Sequence, residues 1–364
     1  MTPRERVLAA LLGRPTDRAP FVTLFGPWQT ALDRWRDEGL ADPDNWRDEF
    51  GFDPFFNTAP VNLGWCPPWP QYEVLEDHGD QVIVRDWRGI ILRDRKDRAS
   101  MPEFLENPVK TRDDWERVKA ERFNPDDPAR FGDDWDDWCR QQASGDVAVM
   151  VGTFPWGIFG TPRDLVGVEE LLLLFYDDPE WVHDMMDHLT DMWVAIYERV
   201  ARDVRIDWIH IWEDMAGKQG SLISPDMFRE FMTPNYRKIR AFADAHDIPI
   251  ISVDSDGDCT DMIPWFAEGG VNVLYPFERA AGCDLEALRD AYPEMGMMGG
   301  FDKRAIARGP DAIDAEIAVH ERVLAKGRFI TFPDLLVPHD VSWSNMQYYC
   351  RRWKKICYAA TGDG

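Results

Sequence analysis

The apolar run Ile250-Ile251-Ser252-Val253 stops abruptly on Asp254-Ser255-Asp256-Gly257-Asp258. A short run of this kind, rich in β-branched residues, marks a buried strand, and alternate residues of a strand face the same side. Asp254 and Asp256 therefore point one way as the strand ends. Two carboxylates that close repel, and burying them is costly unless a cation or a shared proton compensates. The chemistry open to such a pair is metal binding or proton transfer. A solvated turn, or a cap on a helix starting near Asp258, is the plainer alternative, because Asp and Gly are common turn residues.

Other apolar runs end in the same way. Glu213-Asp214 follows 206–212, Pro276-Phe277-Glu278 follows 271–275, and Pro333-Asp334 follows 328–332, with His339 a little later. Gly299-Gly300-Phe301-Asp302-Lys303 closes the run 295–299, whereas Thr153-Phe154-Pro155-Trp156 follows 147–151. Carboxylates after five successive strands would repel one another strongly without a metal, a basic substrate or protonation. Asp254, Asp256, Glu213, Glu278 and Asp334 are the candidate metal ligands, and Asp254, Asp256 and Asp214 the candidate catalytic acids. Carboxylate donors suit zinc first, with iron(II) or manganese as further candidates. Asp302 and Lys303 are candidate substrate contacts, although Lys303 could simply pair with one acid. His339 is a candidate general acid. Phe25, Trp28, Trp65, Trp69, Phe154 and Trp156 could wall a pocket, for which ordinary core packing is the competing role. Cys259, five residues past Asp254, reads as core.

The elements that must position these residues alternate. Strand-length apolar runs at 147–151, 206–212, 249–253, 271–275, 295–299 and 328–332 are separated by helical patterns at 163–175, 179–203, 225–246, 259–268, 284–291, 310–326 and 341–358. Alternation of this kind implies parallel strands joined by helical crossovers. With Phe21–Phe25 as a further strand the count approaches eight, so a (β/α)8 TIM barrel is expected over a doubly wound sheet. Barrel enzymes place their sites at the C-terminal ends of the strands, where these acids fall. A helix over 3–13 precedes the barrel. The alternating runs 72–77 and 81–94 read as an antiparallel hairpin, and 100–143 as a charged helical excursion. Residues 1–364 are expected to form a single domain with 72–143 inserted in it.

Composition narrows the partners. The formal net charge is −25, which disfavours nucleic acid and anionic membranes. Six cysteines lack C-x-x-C spacing and no run is long enough to span a membrane, so free thiols and a cytoplasmic location are expected. No G-x-G-x-x-G follows a strand, and there is no P-loop.

The opening pattern, with Ala10-Leu11, Gly13, Asp17-Arg18 and Pro20, resembles the start of uroporphyrinogen decarboxylase-like proteins. Glu213-Asp214, Leu222-Ile223-Ser224-Pro225, Asp254–Gly257, Gly299-Gly300-Phe301-Asp302 and the Asp334…Pro338 segment fall in the order of that superfamily's blocks. The resemblance covers nearly the whole chain and implies a (β/α)8 barrel. One branch decarboxylates a tetrapyrrole using an Arg-Gln-Ala-Gly-Arg-Tyr block. Here that place reads Phe25-Gly26-Pro27-Trp28-Gln29, with no arginine before Arg34, so a polyanionic substrate is not expected. The other branch passes methyl groups between small molecules and a corrinoid protein, and some members bind zinc through His-x-Cys-Gly and a later Cys. Here those places read Asp254-Ser255-Asp256-Gly257 and Asp334. The resemblance thus implies a methyltransferase acting on a small O- or N-methyl substrate, a methoxylated aromatic or a methylammonium compound. Its metal would polarise the leaving atom. The corrinoid would come from a partner protein, since the chain has no Asp-x-His-x-x-Gly motif, and a homodimer is possible. A metal-independent decarboxylase or lyase on a small carboxylic acid, and a non-catalytic ligand-binding barrel, are the competing readings.

Overall fold

The computed structural model describes residues 1–68, 70–97 and 101–359. Seven parallel strands form its main sheet: β1 (Phe56–Thr58), β2 (Ala148–Val151), β3 (Trp208–Trp212), β4 (Ile250–Asp254), β5 (Val273–Tyr275), β6 (Gly296–Met298) and β7 (Phe329–Ile330), each paired with the next in chain order. Period-two alternation sorts their side chains into two layers. Met150, Trp208, Ile250, Val273, Tyr275, Met298 and Ile330 share one buried cluster. Neighbours of opposite parity, such as Ile209, Ile211, Ile251, Val253, Leu274 and Met297, pack outward in the cluster that contains the helices. Side chains from six strands can meet in one interior only if the sheet curls around them. Phe55, just before β1, lies with its ring 5.7 Å from Trp208 and 6.1 Å from Phe332 beyond β7, which brings the two edges of the sheet toward each other.

Strand–helix alternation from residue 148 onward follows the sequence closely, with the long helix at Pro179–Asp203 and the last at Trp343–Tyr358. Two expectations are corrected. Residues 21–25 form no strand. Asp53 N–H donates to the Phe21 carbonyl and Val337 N–H to that of Gly26, so the backbone pairs with loops, and only an isolated bridge, Pro27 to Val337, resembles sheet pairing. The strand ahead of β2 is the three-residue Phe56–Thr58. The expected hairpin is also larger. Four antiparallel strands (Glu73–Asp77, Gln81–Arg85, Ile91–Arg95 and Glu103–Glu106) form a separate sheet before the helices Arg112–Arg122 and Trp135–Gln141. No helix among the described residues is long and apolar enough to cross a membrane.

The helix Pro3–Leu11 closes the N-terminal end of the sheet. A reciprocal cap between Thr2 and Glu5 starts it, and Val7, Leu8 and Leu11 enter the inner cluster. Its Arg4 fork grips Asp207, just ahead of β3, at 2.9 Å and 2.7 Å. Asp207 is buried and also accepts the Val149 N–H at 3.2 Å. Asp207→Ala should therefore strand a guanidinium and a strand N–H, costing about 3 kcal/mol in urea unfolding. A loss below about 1 kcal/mol, the scale of an exposed pair, would show that this helix is not clamped through Arg4.

Candidate active site

Parity continues past the strand ends and separates the acids. Glu213 follows the outward parity of Ile209 and Ile211, and its side chain is fully buried. Its Oε2 accepts the N–H groups of Phe159 at 2.6 Å and Gly160 at 3.1 Å, and its Oε1 accepts Ile158 N–H at 3.2 Å and the Tyr236 hydroxyl. The carboxylate thereby sits on the first N–H groups of the helix Gly160–Val166, which carry the positive end of its dipole. Gly157 lets this turn come so close: a Cβ there would lie 1.7 Å from the Trp212 carbonyl oxygen. Burial pushes the Glu213 pKa up to about 7, against the pull of Tyr236 and the three N–H groups.

The next residue faces the mouth. Asp214 has φ +44°, in the left-handed region where a non-glycine residue is strained. Arg163 holds it there, its guanidinium donating to the Asp214 carbonyl at 2.5 Å and carboxylate at 2.8 Å. The N–H groups of Glu213 and Asp214 both donate to the Asp254 carbonyl, at 2.9 Å and 3.2 Å, which fixes the end of β4 against β3. Phe277, after β5, also has positive φ, so the two strands that flank β4 are both followed by abrupt changes of direction.

Asp254 and Asp256 carry the inward parity of Ile250 and Ser252. In register, Asp254 lies between Trp212 on β3 and Tyr275 on β5. Among the described residues neither carboxylate receives a hydrogen bond or an ion pair. Gly257, at φ +80°, turns the chain directly beyond them, where a Cβ would meet the Ala216 carbonyl at 2.6 Å. Burial, followed by the charges of Asp256 and Asp214, raises the Asp254 pKa well above the ordinary carboxylate range. Burial, with Asp214 and Glu278, pushes Asp256 up to about 7, opposed by Lys303.

The remaining candidates divide. Glu278 accepts the Gly257 N–H at 3.2 Å. Asp334 is fully buried, accepts N–H groups from Arg279 at 3.0 Å and Lys303 at 3.3 Å, and is raised by burial to about 6 with Lys303 opposing. The charges of Lys303 and Asp334 both reach Asp256, so the structure brings Asp214, Asp254, Asp256, Glu278, Asp334 and Lys303 to one mouth. Phe25 packs there, 6.4 Å from the Tyr275 ring. Asp302 does not join: it caps the helix Lys303–Arg308 and pairs with Arg304 at 2.8 Å. His339 is exposed on the rim, bonded to the Thr30 carbonyl at 2.8 Å, and shares an open groove with Trp28. Trp65 is core against Phe123. Trp156 packs against Trp87, and Phe154 stands edge-on to Trp212 at 4.8 Å. Trp69 lies outside the described residues.

No three His, Cys, Asp or Glu side chains among the described residues form a group that could hold a metal ion. All four lone-pair directions of Glu213 are taken, and Asp334 and Glu278 already accept backbone N–H groups. Among the described residues the Asp254 and Asp256 carboxylates accept no hydrogen bond, whereas that of Asp214 is bonded to Arg163 through one oxygen. Sequence reasoning also missed the layer below the pair. His210, inward on β3, bonds Ser252 Oγ at 3.1 Å and the Tyr275 hydroxyl at 3.1 Å, and Trp208 Nε1 donates to the same Oγ at 2.7 Å. Burial drives the His210 pKa down to about 3, so the imidazole is neutral. A polar residue two places before the end of an apolar strand was the available signal.

A family model described as uroporphyrinogen decarboxylase (URO-D) matches residues 94–355. Among solved structures, a methyltransferase from Methanosarcina mazei aligns with a TM-score of 0.60 at 16% sequence identity, covering 99% of this chain and 100% of that one. A protein from Mesorhizobium loti, provisionally assigned as a dehydratase, aligns over 79% of this chain and 77% of that chain at 12% identity, but its TM-score of 0.27 carries no weight. No curated protein matches the sequence. The family match spans well over half of the residues, and the chain belongs to the uroporphyrinogen decarboxylase family.

Proposed function

We propose that this chain is a methyltransferase that moves a methyl group between a small O- or N-methyl compound and a corrinoid brought by a partner protein, with Asp254 and Asp256 handling the proton. The observation that carries this reading is the pair itself: two carboxyls held at the strand end with no partner among the described residues, Asp254 raised well above the ordinary carboxylate range and Asp256 raised to about 7. Methyl transfer is named because the family is enzymatic and the full-length structural neighbour is a methyltransferase. We read the curled sheet as a barrel whose eighth place is held by residues 21–27, which leaves one mouth for substrate and partner.

A methyl ether breaks poorly because its oxygen would leave as an anion. A protonated carboxyl against that oxygen delivers the proton as the carbon–oxygen bond breaks, and the oxygen departs as a neutral hydroxyl. In the reverse direction the carboxylate removes the hydroxyl proton. The corrinoid supplies the methyl-accepting centre. Asp214, tied to Arg163, and Asp334, tied to two N–H groups, keep the pair electrostatically crowded and so protonated. Lys303 supports a second reading. It lies in no ion pair among the described residues and could hold a substrate carboxylate while Asp256 returns a proton to carbon, which is decarboxylation.

Anaerobic incubation with cob(I)alamin and a panel of methoxylated aromatics and methylammonium compounds should yield methylcobalamin. Asp254→Asn or Asp256→Asn should lower that rate by roughly 10²- to 10⁴-fold with the fold intact. Full activity in the double variant would remove the proposed roles, and carbon dioxide release without methyl transfer would promote the second reading. Stoichiometric metal in the parent, lost in the double variant, would restore the metal mechanism.

The pair also has a signature without turnover. A carboxyl whose pKa is raised by folding stabilises the fold below its unfolded value near 4 and loses that contribution as pH rises toward 7. Asp256→Asn cannot ionise. It should therefore be more stable than the parent by about 2 kcal/mol near pH 8, after allowance for partial exposure. The difference should vanish near pH 4. Equal stability at both pH values in urea titrations would mean that Asp256 is not crowded as described.

A further inference from the structure

Beside the acid pair lies a cavity of about 270 Å3, walled by the inserted sheet on one side and by the rim of the barrel on the other. Phe104 of the insert and Phe154, Val168 and Trp212 of the barrel contribute to its apolar surface, and Asp214 also lines it. Trp212 is the register partner of Asp254 on the adjoining strand, and adjoining strands run about 4.8 Å apart. Phe154 and Phe104 remain 54% and 46% exposed although both face this space. Apolar surface left open around a concavity marks a place where a ligand completes the packing.

The charges around the cavity are already matched. Arg163 is committed to Asp214, and its guanidinium lies 4.8 Å over the Trp212 ring. Arg88 bridges Asp86 at 2.8 Å and Asp164 at 2.7 Å while lying 5.6 Å from the Phe104 ring. An anionic ligand would have to displace a carboxylate from an arginine, and a cationic one would find Asp214 occupied. What remains is an uncharged slot with aromatic walls.

We infer that this cavity binds an uncharged aromatic ring, and that it is the subsite for the ring of the substrate whose heteroatom reaches Asp254 and Asp256. The substrate assignment rests on the acid-pair reading, whereas the ring site does not. Bound there, a ring lies against Trp212 and Phe154 and directs a substituent past Asp214 toward the pair.

Phenol is the probe, titrated into the full chain by calorimetry or saturation-transfer NMR, with benzoate and benzylamine as charged comparators. Phenol should bind with a Kd on the order of 1 mM, at least about tenfold more tightly than either comparator. Val168→Trp, which fills the slot from the exposed first turn of the helix Val168–Asp177, should weaken phenol at least about tenfold with an unchanged melting temperature. Phe154→Ala should weaken it severalfold. Absence of phenol binding in the parent, equal binding in Val168→Trp, or preference for either charged comparator would overturn the site. Phenol binding is read without turnover, so an Asp254→Asn/Asp256→Asn variant that stays active would remove the acid-pair reading and leave the ring site standing.

Discussion

The mouth of this curled sheet depends on one buried carboxylate. Glu213 gathers three N–H groups from the turn after β2 and a hydroxyl from Tyr236 on the helix Thr233–Ala245, so that three elements meet on one side chain. An unpaired carboxylate at zero exposure would cost several kcal/mol, and four donors, one end of a helix among them, offset that. With Glu213 fixed outward, Asp214 is forced inward at positive φ, and both N–H groups close on the Asp254 carbonyl. The geometry of Asp214 and Asp254 is therefore tied to an acid that is itself held by four donors.

This division of labour explains how so many carboxylates share one mouth. Four of them have donors: Glu213 with four, Asp334 with two N–H groups, Glu278 with one, Asp214 with Arg163. Their remaining charge falls on Asp254 and Asp256, which have no donors. The cost appears as raised proton affinity in the pair, and such tension between stability and site is common where groups are tuned for catalysis.

Much of this could be read from the sequence. The strand that carries the pair was expected at 249–253 and lies at Ile250–Asp254, and the long helix was placed at its observed bounds. Acids at the strand ends were visible as well. Composition did not say which of two adjacent acids faces inward, yet period two does: Trp212 inward puts Glu213 outward and Asp214 inward. Period two alone thus separates Glu213 from the acids that face the mouth. Other misses have different causes. Phe56–Thr58 is three residues long and follows prolines and aromatics that resemble a loop. Phe21–Phe25 has strand-like residues, but the Phe21 carbonyl accepts the Asp53 N–H and those of Leu24 and Phe25 accept side-chain donors from Arg47 and Thr23. Aromatics near strand ends carry no label separating wall from core, as Trp65 and Phe154 show. Glu103–Glu106 was hidden within a charged stretch because its four residues are all exposed and do not alternate.

The charge of the substrate bears directly on what the pair can do. A cation between Asp254 and Asp256 would favour their ionised forms, lower both pKa values and turn the pair into a base or a counter-ion. An uncharged ring against Trp212 adds no charge but removes water from the same carboxyls, and desolvation raises their pKa further. The protonated form, the one able to assist departure of an oxygen, is thus strengthened by the kind of ligand that the neutral slot selects. With a methylammonium donor the amine leaves uncharged and needs no proton, so the raised proton affinity of the pair would not assist it. Proton affinity at the pair and charge matching in the slot arise from separate residues, and on the proposed function both favour a neutral oxygen-bearing substrate.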